Sequence, residues 1–136
     1  MKKFISIIIT LSLLLIFCSC GSYVNSYSAL GLVKSQTSHS CNTSFLSLNG
    51  RLVFKLKCPH KSTDGNIKYS VQVDKGELYL YYDYLGVKEE LAHVKAGETV
   101  ENIGGYVEAG KSVYIIIEAT ETAKGKVSCE LGSYTP

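Results

Sequence analysis

The sequence predicts an all-β fold, a single antiparallel β-sandwich or jelly roll of about seven to eight strands. Three observations carry this. The chain has ten Tyr and only two Pro, is rich in Val and Ile, and has almost no helix-favouring runs. Short segments alternate apolar and polar residues with the period of a half-buried strand. Gly, Asn and Asp punctuate those segments at regular spacing.

The elements follow in chain order. Lys2 and Lys3 give a short basic start, Phe4 to Phe17 is an almost unbroken apolar run, and Phe17-Cys18-Ser19-Cys20 closes it before polar Gly21-Ser22. This order reads as an export signal over residues 1–19. Its ending resembles the lipobox of bacterial lipoproteins, with bulky Phe17 three before the cut, small Ser19 one before it, and Cys20 as the obligatory cysteine. The family usually has leucine where Phe17 stands. Cys18 fits less well, because Phe17 would then occupy the position that takes a small residue. The resemblance implies lipidation of Cys20 and an extracytoplasmic protein held to the cell membrane or outer membrane by its lipid. Two alternatives stand beside it. Ordinary cleavage after Cys20 would release a soluble protein, and a retained transmembrane anchor would need ~20 apolar residues, more than this run supplies.

Residues 20–39, Ser-rich and low in charge, read as a lipidated tether. Residues 40–136 read as the sandwich. Phe45 to Phe54 is expected to be a hairpin turning at Asn49-Gly50 in a type I′ turn. Ile67–Val73 and Glu77–Asp83 alternate as strands, and Gly86 is expected in the αL position of a bulged turn into Val87–Val94. Thr99–Ile103 follows, with Gly104-Gly105 as a turn. Ser112–Ala119 and Lys126–Leu131 close the domain as two strands joined at Ala123-Lys124-Gly125. This last run, Gly110-Lys111-Ser112-Val113-Tyr114-Ile115-Ile116-Ile117-Glu118 with a Gly turn and a short final strand, looks like the β-sandwich modules of exported bacterial proteins. It also faintly resembles the jelly-roll domain appended to secreted bacterial peptidases. The resemblance implies fold and location, and a binding or accessory role.

The Asn49-Gly50 loop would place Cys41 opposite Cys58 and His39 opposite His60. Phe45, Leu52, Phe54, Leu56 and both cysteines would then share one face. A cross-strand Cys41–Cys58 disulfide is therefore expected, with Cys41–Cys129 and Cys58–Cys129 as alternatives, because Cys129 faces the core on the last strand. The mirrored His39/Cys41 and Cys58/His60 offer ligand types for zinc, but in no recognised knuckle spacing, so no metal is assigned. His93 stands alone and is expected to face solvent.

Without the signal the chain carries twelve basic and twelve acidic residues and no charged block, which disfavours nucleic acid as a partner. No phosphate loop, nucleophile elbow or paired-carboxylate motif is present, and Asp64, Asp74, Asp83 and Glu89-Glu90 are scattered over turns and strand faces. No enzyme activity and no cofactor are expected. Tyr79 and Tyr81 are the one specific binding proposal. If Leu78 and Leu80 face the core, the tyrosines stand about 7 Å apart on the outer face, spaced for a glycan or protein partner. The lack of Trp argues mildly against a sugar platform. The expected function is a lipid-anchored envelope protein acting as a non-catalytic binding or structural module. The alternative is a soluble secreted accessory domain that binds glycan, with a small envelope enzyme more distant.

Overall fold

The computed structural model describes residues 25–58 and 64–132, in which every regular element is a strand. In order these are β1 (Ser26–Leu30), β2 (Val33–Gln36), β3 (Ser40–Lys57), β4 (Gly65–Lys75), β5 (Glu77–Tyr84), β6 (Val87–Lys95), β7 (Thr99–Val107) and β8 (Ser112–Gly132). All pairings are antiparallel. Among the described residues no helix is long and apolar enough to cross a membrane.

Two strands set the architecture. β3 has 18 residues and β8 has 21, about three times the usual strand length, and they pair from Ser40↔Glu130 to Lys57↔Ser112. The pairing is interrupted by register shifts between Phe45 and Leu48 and between Leu48 and Gly50. The first half of β3 and second half of β8 belong to a layer ordered β2-β3-β8-β4-β7. Their other halves belong to a layer ordered β1-β3-β8-β5-β6. The protein is thus one continuous sheet folded over on itself. On one side the layers are tied together, with Ser38 O accepting from Lys57 N at 2.7 Å and Lys55 O accepting from Gln36 Nε2 at 2.8 Å. On the other side β6 and β7 are edge strands, and the Tyr69 hydroxyl of β4 reaches across the layers to donate to Leu91 O of β6 at 2.9 Å.

The core lies between the layers. β3 contributes Cys41 and Phe45 before its bend, Leu48 within it and Leu52, Phe54 and Leu56 after it, and Cys58 follows directly beyond the strand. β8 contributes Val113, Ile115, Ile117, Val127, Cys129 and Leu131, and β4 and β5 add Ile67, Val71, Leu78 and Leu80. The shared inward face expected for Phe45, Leu52, Phe54, Leu56, Cys41 and Cys58 is present. The geometry that produces it differs.

The Asn49-Gly50 hairpin is absent. Residues 45–54 belong to one strand, and its partner is β8, not itself. A two-residue turn and a bulged bend both switch the inward parity from odd to even, so the alternation alone cannot distinguish them. Gly50 has φ +108, and a Cβ there would run into the backbone oxygen of Ser26, because the paired strand β1 lies close at this point with Tyr27 opposite Gly50. Gly125 is likewise required by close approach to the carbonyl of Gln72, so Ser112–Ala119 and Lys126–Leu131 are halves of the single strand β8. Gly104-Gly105 lies inside β7 at a register irregularity rather than turning the chain. Part of the expected tether is also strand, since β1 and β2 pair with β3. The two-residue turn with positive φ at both central positions occurs at Leu85-Gly86, with φ 54 and 84 between paired Tyr84 and Val87, instead of a bulged turn.

The disulfide expectation changes with the register. Cys41 lies opposite Cys129, not Cys58, and Cys41, Cys58 and Cys129 are all buried as thiols. A hydrogen bond with Cys41, burial and the neighbouring thiol together push the Cys129 thiol well above its ordinary range. Cys58 packs against Gly65, where an added Cβ would stand 3.0 Å from its Sγ.

The bend yields a stability test. Gly50→Ala combines an unfavourable φ with a backbone collision and should cost about 2–3 kcal/mol in urea unfolding. Gly110→Ala, at φ +75 but with open space around the new methyl, should cost about 1 kcal/mol. Equal costs would contradict the close approach of the β1 backbone to Gly50.

Candidate functional site

The outer face of the β6-β5-β8-β3 layer is built by strand alternation. With Leu78 and Leu80 buried, β5 turns Glu77, Tyr79, Tyr81 and Asp83 outward. Residue pairing then sets neighbours in rows across four strands. One row runs His93, Tyr79, Glu118, Arg51, and the next runs Glu90, Tyr81, Ile116, Val53. Asp83, Tyr114 and Lys55 make a third. Ile116 is 0% exposed although it points away from the core, so it forms the floor of this face.

The aromatic residues form a stack. The Tyr79 and Tyr81 ring centroids are 6.1 Å apart and 7° from parallel. His93, expected to stand alone, lies against Tyr79 at 4.0 Å and 9°, with its Nε2 2.8 Å from Glu77 Oε2. Lys88 Nζ closes the other end, 4.3 Å from the Tyr81 ring centroid. Both tyrosines are half-buried, and Tyr79 has one ring face covered by His93.

Beside the stack is a charge network. Glu118 Oε1 accepts from Arg51 Nε and from Lys88 Nζ, each at 3.0 Å. Burial pulls the Glu118 pKa upward, but the hydrogen bonds and charges of Lys88 and Arg51 outweigh it and hold the carboxyl below its usual range. Burial, with help from Glu118 and Glu90, raises Tyr81. On the neighbouring strands Lys55 Nζ stands 5.8 Å from the Tyr114 ring centroid.

The other expected residues distribute differently. Cys20 and His60 lie outside the described residues. Asp64, Asp74 and Asp83 do not converge, and no group of three or more His, Cys, Asp or Glu that could hold a metal occurs among the described residues. Asp83 is 6% exposed and accepts from Gly86 N at 3.0 Å, which fixes the β5–β6 turn. The opposite outer face has grooves of about 370 and 600 Å³ among small polar residues such as Asn42, Ser70 and Ser128. Tyr69, which borders the larger groove, points into the core and is bonded to Leu91 O.

No protein-family description matches the chain, and no curated protein sequence does so. Among solved structures, the chain is similar to a variant of a family 29 carbohydrate-binding module complexed with mannohexaose, at 12% identity, covering 86% of this chain and 93% of that one, with TM-score 0.41. A second is TmCBM61 in complex with β-1,4-galactotriose, at 17% identity over 84% and 89% of the two chains, TM-score 0.41. A third is Drosophila melanogaster CENP-C bound to CAL1, at 11% identity over 78% and 74%, TM-score 0.32. Likeness of this degree assigns no ligand and no residue correspondence.

The Glu118 network makes a pH prediction. Its folded pKa is depressed, so between the folded value and the ordinary 4.5 the unfolded chain binds more protons. The stabilisation is therefore fully present above about pH 4.5 and lost as pH falls through the folded pKa. Urea midpoints measured across this range should fall more steeply for the parent than for Glu118→Gln. Parallel curves would remove the network as a contributor.

Proposed function

We propose that this chain is a lipid-anchored, extracytoplasmic binding module without catalytic activity, and that it binds a cell-envelope glycan on the Tyr79–Tyr81 face. The observation that carries the reading is the row Tyr79, Glu118, Arg51, in which a ring, a fixed acceptor and a planar donor stand side by side on rigid strands. Adjacent sugar hydroxyls pair with such groups as donor and acceptor, while a ring meets the apolar side of the sugar. Tyr79 offers an edge and a hydroxyl, since His93 already covers one of its faces. Tyr81 is the stacking partner once Lys88 moves aside. An exposed cation–π contact is worth only ~0.5–1 kcal/mol, so a bound sugar can displace the lysine, which also releases one contact of Glu118.

A panel of soluble envelope oligosaccharides titrated into the protein tests the ligand. Replacing Tyr79 and Tyr81 together by Ser should weaken binding at least tenfold and cost about 1–3 kcal/mol of stability, because the rings are half-buried and stacked. Unchanged affinity in that variant, with loss of binding in Ser128→Lys, would move the site to the opposite face.

The anchor rests on the Phe17–Cys20 pattern and has its own test. Mass spectrometry of the membrane fraction should find an N-terminal peptide beginning at diacylglyceryl-modified Cys20, and Cys20→Ala should accumulate precursor. A free Gly21 N-terminus in the medium would instead identify the soluble secreted form.

A further inference from the structure

On the side of the sandwich where β6 and β7 form the edges of the two layers, a second site lies apart from the Tyr79–Tyr81 face. The even-numbered residues Tyr82 and Tyr84 of β5 point away from that face, toward the space between the layers. Together with Leu85, Val87, Glu89 and Tyr106 they line a cleft of about 280 Å³. This is just below the ~300–1,000 Å³ of small-molecule sites, a size for a head group rather than an extended chain. Tyr84 and Tyr106 stand nearly perpendicular, at 82° with centroids 6.1 Å apart, so their rings line the cleft from two directions. Leu85, Val87 and Tyr106 are 74%, 59% and 50% exposed, an apolar mouth on an otherwise polar edge.

The electrostatics of the cleft have one sign. No Lys, Arg or His is among its described lining residues. Each tyrosine hydroxyl meets a carboxylate: Tyr82 donates to Glu89 Oε2 at 2.6 Å, Tyr106 to Asp64 Oδ2 at 2.7 Å, and Tyr84 to Glu108 Oε2 at 3.4 Å. A phenol donating to an anion shifts electron density into its ring and makes the ring face more negative. Burial and the Glu89 bond push Tyr82 up to about 12, and the Asp64 bond, with burial, does the same for Tyr106, so both remain neutral donors at any physiological pH. The mouth is also held in an unfavourable shape. Leu85 adopts φ 54, a conformation that favours Gly, Asn or Asp and that a branched residue rarely takes, and it places an exposed Leu at the cleft entrance.

We propose that this cleft binds a quaternary alkylammonium group, a trimethylammonium head with its methyls against the tyrosine rings and the walls of Leu85 and Val87. Charge complementarity selects a cation, and tyrosine rings attract one through their quadrupoles. The lining selects a cation without N–H groups. Among the described lining residues Glu89 is the only carboxylate and it already accepts from Tyr82, so a primary ammonium would lose water without gaining three acceptors. The site does not depend on the glycan reading.

Calorimetric titration of the full-length chain with choline, tetramethylammonium, n-butylammonium and 3,3-dimethyl-1-butanol, the neutral isostere of choline, tests the proposal. Choline and tetramethylammonium should bind saturably, at least tenfold more tightly than the neutral isostere and the primary amine. Tyr106→Leu should weaken choline at least tenfold, and Tyr106→Phe, which keeps the ring but loses Asp64, several-fold. Val87→Lys, a change at an exposed edge position, should abolish binding by placing a cation at the mouth. The Tyr79→Ser, Tyr81→Ser variant should bind choline as the parent does, which separates this site from the glycan face. Equal affinity for the neutral isostere, tighter binding of the primary amine, absence of saturation, or indifference to both Tyr106→Leu and Val87→Lys would each overturn it.

Discussion

The antiparallel pairing of β3 with β8 is the constraint on which the rest of the molecule depends. Each strand contributes one half to each layer, so the bend in this pair defines both layers and the space between them. The remaining strands attach to this spine: β4 and β5 to opposite halves of β8, β1 and β2 along β3. The proposed glycan face is also a product of this register. Arg51 meets Glu118 because the two are a β3–β8 pair, and Tyr79 stands next to Glu118 because β5 pairs with the same half of β8. A slip of one residue in the spine would exchange Glu118 for Ile117 and turn the face into core.

β5 has a double role. Its odd residues Tyr79 and Tyr81 stack on the outer face, while its even residues Tyr82 and Tyr84 line the cleft at the open side. Leu78 and Leu80 anchor the strand's first half in the core. A strand so rich in Tyr tolerates this placement because a tyrosine ring can be half-buried while its hydroxyl finds a partner at the rim, as Tyr82 does with Glu89.

The strands themselves were largely legible. The alternation of Ile67–Val73 and Glu77–Asp83 predicted β4 and β5, and the burial of Leu78 and Leu80 placed Tyr79 and Tyr81 outward as the period requires. The partners were not legible. Residues 45–54 read as a local hairpin because the change of parity around Gly50 looks the same in a turn and in a bend. Residues 112–131 read as one because Ala123-Lys124-Gly125 has the composition of a turn, although its inward residues stay odd-numbered throughout, and only the partner strand tells the cases apart. Gly50 and Gly125 mark places where another backbone passes close, a non-local fact. Conversely, the tight turn at Leu85-Gly86 lacked the Asn or Asp that announces one. His93 gave no sign of its stack, since its contact with Tyr79 follows from β5–β6 register. The cleft needed Tyr106 of β7 beside Tyr84 of β5, which topology alone supplies.

The length of the spine also orders events in time. β3 lies near the beginning of the described chain and β8 at its end, so their contacts join residues separated by most of the sequence. Such topologies fold slowly, since a large loop must close before the contacts that reward it can form. A chain emerging with its N-terminus first, from a ribosome or a translocation pore, would expose β3 with Phe45, Leu52, Phe54 and Leu56 unpaired until residue 132 has appeared. During that interval the edge of an eighteen-residue strand that β8 will cover is open to any passing strand. The charged side chains Arg51, Lys55 and Lys57, spaced along β3 between those apolar residues, then act as guards of the unfinished sheet, before any of them contributes to a finished one.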